Sequence, residues 1–353
     1  MAEQTKKERN AQGEPERIPM RRLPKHWGRD WKRAYSILTT EGAGEAPPKG
    51  WWARLRALYR GVKVKLTPAR RALFVLCLIL ALLGADKEQD GPWHLVAFAG
   101  IVFLLLVELA DRTRTRDEME VARQLQRDLL PKEAPELPGY EFAFSYRAAN
   151  TIGGDYYHFV PLPDGRIVLL IGDASGHGMA AGLLMAISDT TIHIGLEKDP
   201  SPLAVAALVN AALVRTGGTR AFMTLFIGFL RPDSGELTYV SAGHPFPLLR
   251  RADGTVVRLG KGSFPLGLRE AIDLESEAVE IAVGDLLVLY TDGVPEAVDA
   301  DGESFGYERL QHQVEPGGSA GAVHDRLLGE VSRFEGGEAP MDDRSLVVIH
   351  RVR

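Results

Sequence analysis

Two apolar stretches dominate the first third of the chain. Ala72–Ala85 (ALFVLCLILALLGA) contains no charged residue, and Trp93–Val107 (WHLVAFAGIVFLLLV) has His94 as its one titratable group. Between them Asp86–Pro92 carries three acids, one lysine and a Gly-Pro turn. Each run falls a little short of the roughly 20 residues of a bilayer-spanning helix. The flanking Arg71 and Glu108–Ala110 extend them, because long basic side chains reach back to the headgroups. The pattern predicts a two-helix transmembrane hairpin over 71–110. After it, Met119, Ala122, Leu125 and Leu129 recur at spacings of three and four with charges between them, which predicts a linker or signalling helix over Asp111–Leu130, ended by Pro131.

From residue 136 to 353 the pattern changes to short runs with alternating apolar positions, bounded by Gly, Asp or Pro. Strands are predicted at Tyr140–Arg147, Tyr156–Pro161, Arg166–Asp173, Ala221–Leu230, Glu236–Ser241, Thr255–Leu259, Asp285–Thr291 and Ser345–Arg351. Helices are predicted at Met179–Leu196, Pro202–Val214 and Gly321–Phe334. Strands come mainly in pairs with helices between groups, so the expected class is α+β, with antiparallel sheets and helices outside them, not a doubly wound parallel sheet.

Charge adds an asymmetry that the net value of −5 conceals. Residues 1–70 hold 17 Lys+Arg against 7 Asp+Glu, and the other 283 hold 25 against 40. The basic head, broken by Pro47-Pro48 and scattered Trp, is expected to be partly disordered or to lie on an anionic membrane surface; no nucleic-acid-binding module accompanies its charge. Seven Lys+Arg in 54–71 and five Arg in 112–127 flank the hairpin, against one Lys in its loop. The positive-inside rule then places both termini and the C-terminal domain in the cytoplasm. A single cysteine, Cys77, excludes a disulfide framework and a Cys-based zinc site. The chain lacks GxxxxGK[ST] and GxGxxG phosphate loops.

The acidic residues fall at strand ends. Asp155 follows Gly153-Gly154 and opens a strand; Asp173 closes one and precedes Ala174-Ser175-Gly176-His177-Gly178. Asp292 closes another and precedes Gly293, and Asp342-Asp343 precede the last strand. Carboxylates beside glycine suit a hard cation such as Mg²⁺ or Mn²⁺, which takes oxygen ligands and keeps waters. Two such ions can activate a water for attack on phosphorus. Each Asp-Gly alone is equally a turn signal.

Taken in order, Gly153-Gly154-Asp155-Tyr156-Tyr157, Ile171–Gly178 (IGDASGHG), Ser241–Pro245 (SAGHP), Tyr290–Ala297 (YTDGVPEA) and Asp342–Leu346 (DDRSL), led by Leu125–Pro131 (LQRDLLP), resemble the SpoIIE-type branch of the metal-dependent, PPM-type bacterial serine/threonine phosphatases. The resemblance covers roughly residues 120–352. It implies an αββα sandwich with two Mn²⁺ or Mg²⁺ ions at one edge. Asp173 would bridge both ions, Ala174 would lend its backbone carbonyl, Asp292 and Asp342 (or Asp343) would complete the second site, and Asp155 would bind directly or through water. His177 is a candidate proton donor to the leaving serine oxygen, or a turn residue, and His244 is read as structural. Ser175 lacks a triad arrangement, and Arg147 is a candidate phosphate contact or an exposed strand charge. The implied substrate is a phosphorylated regulatory protein such as an anti-sigma-factor antagonist of the STAS type, with the enzyme dimeric on the bacterial inner membrane. His158 stands where the family pattern has an acid, and Arg344 where it has an apolar residue. These two departures support the alternative, a non-catalytic membrane scaffold that binds a phosphoprotein.

Overall fold

The computed structural model describes residues 66–83, 92–176, 178–217, 221–337 and 340–353. The basic head and the tip of the expected hairpin lie outside the described residues. Two compact units divide at Thr113/Arg114.

The first unit contains helix α1, Pro68–Leu83, and the beginning of α2, Trp93–Leu129. The second apolar run and the amphipathic run, expected as separate segments, form one uninterrupted helix. Nothing in 108–112 (ELADR) breaks it, since Glu, Leu, Ala and Arg all favour helix. Within this unit Cys77 and Ala97 are buried, and a side chain at Gly100 would strike the Cys77 sulfur, so the two helices meet at small residues. Arg70 on α1 pairs with Glu108 at 3.2 Å and with Asp111 on α2. Among the described residues one helix, Met179–Lys198, is long and apolar enough to cross a membrane. It is a core helix of the second unit, burying Leu184, Met185 and Ile192.

The second unit stacks two five-stranded antiparallel sheets. One has the order β1-β10-β9-β6-β7, from Tyr140–Arg147, Arg344–Arg351, Leu286–Tyr290, Leu248–Arg250 and Val256–Arg258. The other has the order β2-β3-β4-β5-β8, from Asp155–Pro161, Ile167–Ala174, Met223–Leu230, Glu236–Ala242 and Glu277–Glu280. Helices α3 (Met179–Lys198) and α4 (Pro202–Gly217) pack on the second sheet, and α5 (Gly306–Val314) and α6 (Ala320–Phe334) lie on the side of the first.

The two-residue period of the strands builds the layers. On β9 and β10, Leu287, Leu289, Val347 and Ile349 point into the core between the sheets, while Leu286, Val288, Leu346 and Val348 pack with Leu310, Val314, Val323 and Leu327 of α5 and α6. Tyr157 and Phe159 of β2 meet Phe144 of β1 across the sandwich at centroid separations of 5.6 and 5.4 Å. β3, covered on both faces, is apolar almost throughout, which is why it reads as an unbroken run.

Candidate active site

Both sheets send acidic strand ends toward one edge of the sandwich. Asp155 at the start of β2 is paired in register with Asp173 near the end of β3. Asp292 follows β9, and Asp342-Asp343 lead into β10. The set therefore comes from strands distant in sequence, brought together by sheet stacking.

Asp155 is fully buried. Its Oδ2 accepts a hydrogen bond from the Thr291 hydroxyl at 2.7 Å, and that hydroxyl in turn accepts from the Ser345 N–H at 2.9 Å. Its Oδ1 is buried without a hydrogen-bond partner. Burial, and then the Asp173 charge, hold its carboxyl well above the usual carboxylate range. Asp173 is pushed up to about 8, first by burial and then by the charges of Asp292, Asp342 and Asp343. Asp292 rises to about 6 through burial and the neighbouring Asp342 and Glu296. Carboxylates crowded like this favour either protons or a cation.

Glycine creates the space. A Cβ on Gly154 would lie 2.5 Å from the Ala174 carbonyl oxygen and 2.6 Å from Asp173 Oδ1, so the missing side chain leaves those two oxygens facing an open cradle. The orphaned Asp155 Oδ1 and this cradle fit a hard, oxygen-seeking cation. Among the described residues no three His, Cys, Asp or Glu side chains gather tightly enough to ligate one ion alone. The Ala174 carbonyl at the cradle suits an ion that takes backbone oxygen and keeps waters.

Asp342 and Asp343 differ in setting. Asp343 is buried, and its two oxygens accept from the N–H groups of Ala149 at 2.8 Å and Gly154 at 2.6 Å. Asp342 is exposed, and its Oδ1 caps the Asp343 N–H at 2.8 Å. His177 lies outside the described residues. Ser175 is tied to Phe222, donating its N–H to the Phe222 carbonyl and accepting the Phe222 N–H on Oγ. Arg147 is exposed at the end of β1.

The two departures from the family pattern point away from the acidic edge. Strand alternation turns His158 to the face opposite Asp155, where its ring stacks on Tyr156 and meets His193 of α3 edge-on. Arg344 is buried and bonded to Glu335 and to the Gly293 carbonyl. Neither displaces an acidic side chain. His244 is buried with Nδ1 at 3.0 Å from the Thr224 hydroxyl, and burial drives its pKa down to about 3. A cleft of 440 Å³ opens beside Asp292, bordered by His244, Phe246, Arg258, Glu296 and Tyr307.

Three contributors went unassigned in the sequence. Thr291 and Gln126 lie inside the quoted motifs, but nothing in their spacing announces a buried hydrogen bond. Gln126 receives the Gly153 N–H on Oε1 at 3.1 Å and gives Nε2 to the Gly153 carbonyl at 2.7 Å. The third, Glu335, is 9 residues from Arg344 and resembles any helix-terminal acid.

This double antiparallel sandwich, with helices outside and an acidic edge, is a PP2C-type phosphatase fold. It superimposes on the SiaA-PP2C domain of Pseudomonas aeruginosa with a TM-score of 0.60 at 19% identity, covering 68% of this chain and 98% of that one. For the PP2C phosphatase domain with a regulatory-domain fragment of SpoIIE from Bacillus subtilis the TM-score is 0.54 at 18% identity, with 61% and 64% covered. Residues 163–352 match the family model described as Stage II sporulation protein E (SpoIIE), and the chain belongs to that family. It is similar to Phosphoserine phosphatase RsbU of Bacillus subtilis, 28% identical over 188 residues, 53% of this chain and 56% of RsbU. Protein IcfG of Synechocystis is 23% identical over 268 residues, 67% of this chain and 42% of IcfG. The chain thus spans about half the length of these relatives.

Proposed function

We propose that the chain is a membrane-tethered, metal-dependent phosphoserine/phosphothreonine protein phosphatase acting on a phosphorylated regulatory protein, of the kind represented by anti-sigma-factor antagonists. The observation that carries the reading is the unpartnered, buried Asp155 Oδ1 beside Asp173 and the Gly154 cradle. A buried carboxylate oxygen without a donor is costly unless a cation completes it. The similarity to RsbU, named a phosphoserine phosphatase, supports the same chemistry.

In this reading Asp155, Asp173, the Ala174 carbonyl, Asp292 and Asp342 hold two Mn²⁺ or Mg²⁺ ions. Asp343 supports them by fixing the Gly154 and Ala149 backbone. Bound ions supply Lewis acidity, activating water and neutralising charge on the phosphoryl oxygens. The protein's part is to orient the acidic set, exclude bulk water through the buried strand ends and seat the phosphorylated side chain in the cleft bordered by Arg258 and Tyr307. His177 is assigned as proton donor to the leaving oxygen.

The tether is the α1/α2 hairpin at the bacterial inner membrane, with the catalytic domain and both termini cytoplasmic. Leu76, Leu78 and Leu82 of α1 and Leu95, Phe98 and Leu105 of α2 are half or more exposed, an apolar surface suited to lipid. Val121 and Leu125, exposed four residues apart further along α2, support homodimerisation through that helix.

Phosphate release from a phosphoserine peptide tests the proposal. The full chain is expected to act with Mn²⁺, to stop with excess chelator and to be inactive as Asp173→Asn; activity retained in that variant would overturn the site.

A further inference from the structure

Arg344 is the residue by which the last motif departs from its family pattern, and it sits at a crossing of three segments. Its Nη2 and Nη1 lie 2.5 and 3.2 Å from the two carboxylate oxygens of Glu335, at the C-terminal end of α6. Its Nε donates to the Gly293 carbonyl at 3.1 Å. Both charged side chains are almost wholly buried, Arg344 at 4% and Glu335 at 7% exposure. A two-pronged pair fixes the plane of the guanidinium, and with it the direction of Nε.

Gly293 follows Asp292 and is pressed from the other side. A Cβ there would collide with the backbone carbonyl of Asp343. The Asp292-Gly293 turn is thus held between the Asp342-Asp343 backbone and the Arg344 fork. This matters because Asp292 and Asp342 stand on these two touching segments, the Cβ position of Gly293 lying 3.6 Å from the Asp342 carbonyl carbon. With no cation between them, two like charges on separate loops relax apart unless something holds the loops. The Arg344 side chain bonds Glu335 and the Gly293 carbonyl, and so reaches the acidic pair through the backbone.

We infer that Arg344, oriented by Glu335, is a positioning residue that clamps the Asp292-Gly293 turn against the Asp342-Asp343 segment and so preorganises two acidic side chains for a divalent cation. The inference rests on the metal-site reading above. It makes Glu335, beyond the acidic edge, part of the supporting structure.

Manganese titration calorimetry on the full chain in detergent, paired with the thermal midpoint of the metal-free protein, tests it. Removing the pair together, as Arg344→Met with Glu335→Met, avoids stranding one buried charge, so the metal-free midpoint is expected to stay within a few degrees of wild type. The Mn²⁺ dissociation constant is expected to rise at least fivefold. A smaller rise in the folded double variant overturns the inference, since a pair serving stability alone would leave the affinity unmoved. Should the double variant not fold, Arg344→Lys decides by the same threshold, because an ammonium keeps the charge and loses the fork. Wild-type protein that takes up no Mn²⁺, or takes it up equally well as Asp173→Asn, refutes the metal-site reading itself; wild-type uptake with unaltered Arg344 variants refutes only the clamp.

Discussion

Gln126 and Gly153 exchange two hydrogen bonds, side-chain amide to backbone amide in both directions, and the glutamine is buried at 5% exposure. The last turn of α2 is thereby joined to the glycine turn that presents Asp155. Replacing Gln126 by Ala leaves a buried N–H and C=O without partners, which is expected to cost about 2–4 kcal/mol. Urea denaturation of the metal-free protein checks the magnitude. Gln126→Glu, which keeps the acceptor and loses the donor, should fall between Ala and wild type or below both, but not reach wild type.

Gly154→Ala is expected to fill the cradle facing Ala174 and Asp173. Since the new methyl lies where a cation would bind, Mn²⁺ affinity should fall at least tenfold. Calorimetry of a variant whose circular dichroism is unchanged provides the test, and equal affinity would show that these oxygens do not serve a metal.

The neighbouring Asp342 and Asp343 should separate by phenotype. Asp342→Asn is expected to weaken Mn²⁺ binding while leaving metal-free stability within about 0.5 kcal/mol, as surface substitutions usually do. Asp343→Asn turns an amide N–H₂ toward a backbone donor and should lose about 1–3 kcal/mol in the metal-free protein. Reversal of the two outcomes would exchange their roles.

His244 carries an acid-sensitive contribution to stability. Its pKa, ordinarily 6.5, is held near 3 in the folded state by burial. A folded value below the unfolded one means that the contribution is complete above pH 6.5 and disappears as pH falls toward 3. The full extent is on the order of 4 kcal/mol. In matched titrations of the denaturation free energy, His244→Asn should show a shallower decline between pH 6.5 and 4 than wild type; parallel curves would refute the assignment.

Strands with a buried face are legible because burial imposes a period of two: Tyr140–Arg147 has its predicted bounds, and Leu286–Tyr290 lies one residue inside its predicted bounds at each end. The missing pair, Leu248–Arg250 and Glu277–Glu280, have three and four residues, and Glu277, Ala278, Val279 and Glu280 offer no apolar alternation to read. Helix α5 was missed because it spans nine residues and starts after Phe305 with no side-chain cap. The acidic strand ends were visible individually, and the order of motifs joined them. What spacing could not express was direction: that Asp343 turns to backbone donors while Asp342 faces solvent, or that His158 faces α3. Such choices depend on neighbours distant in sequence, His193 lying 35 positions from His158 and Asp343 189 positions from Gly154.

Asp155 and Asp173 belong to one sheet, and Asp292 and Asp342 flank strands of the other. The proposed pair of ions, shared among these four carboxylates, would be a rivet through the sandwich, present only when the sheets are docked. Metal uptake would then report on tertiary docking separately from strand formation. A partially unfolded state that keeps its sheets but lets them slide apart would retain its far-ultraviolet spectrum and release its ions, so free Mn²⁺ concentration would set the temperature at which the two layers part.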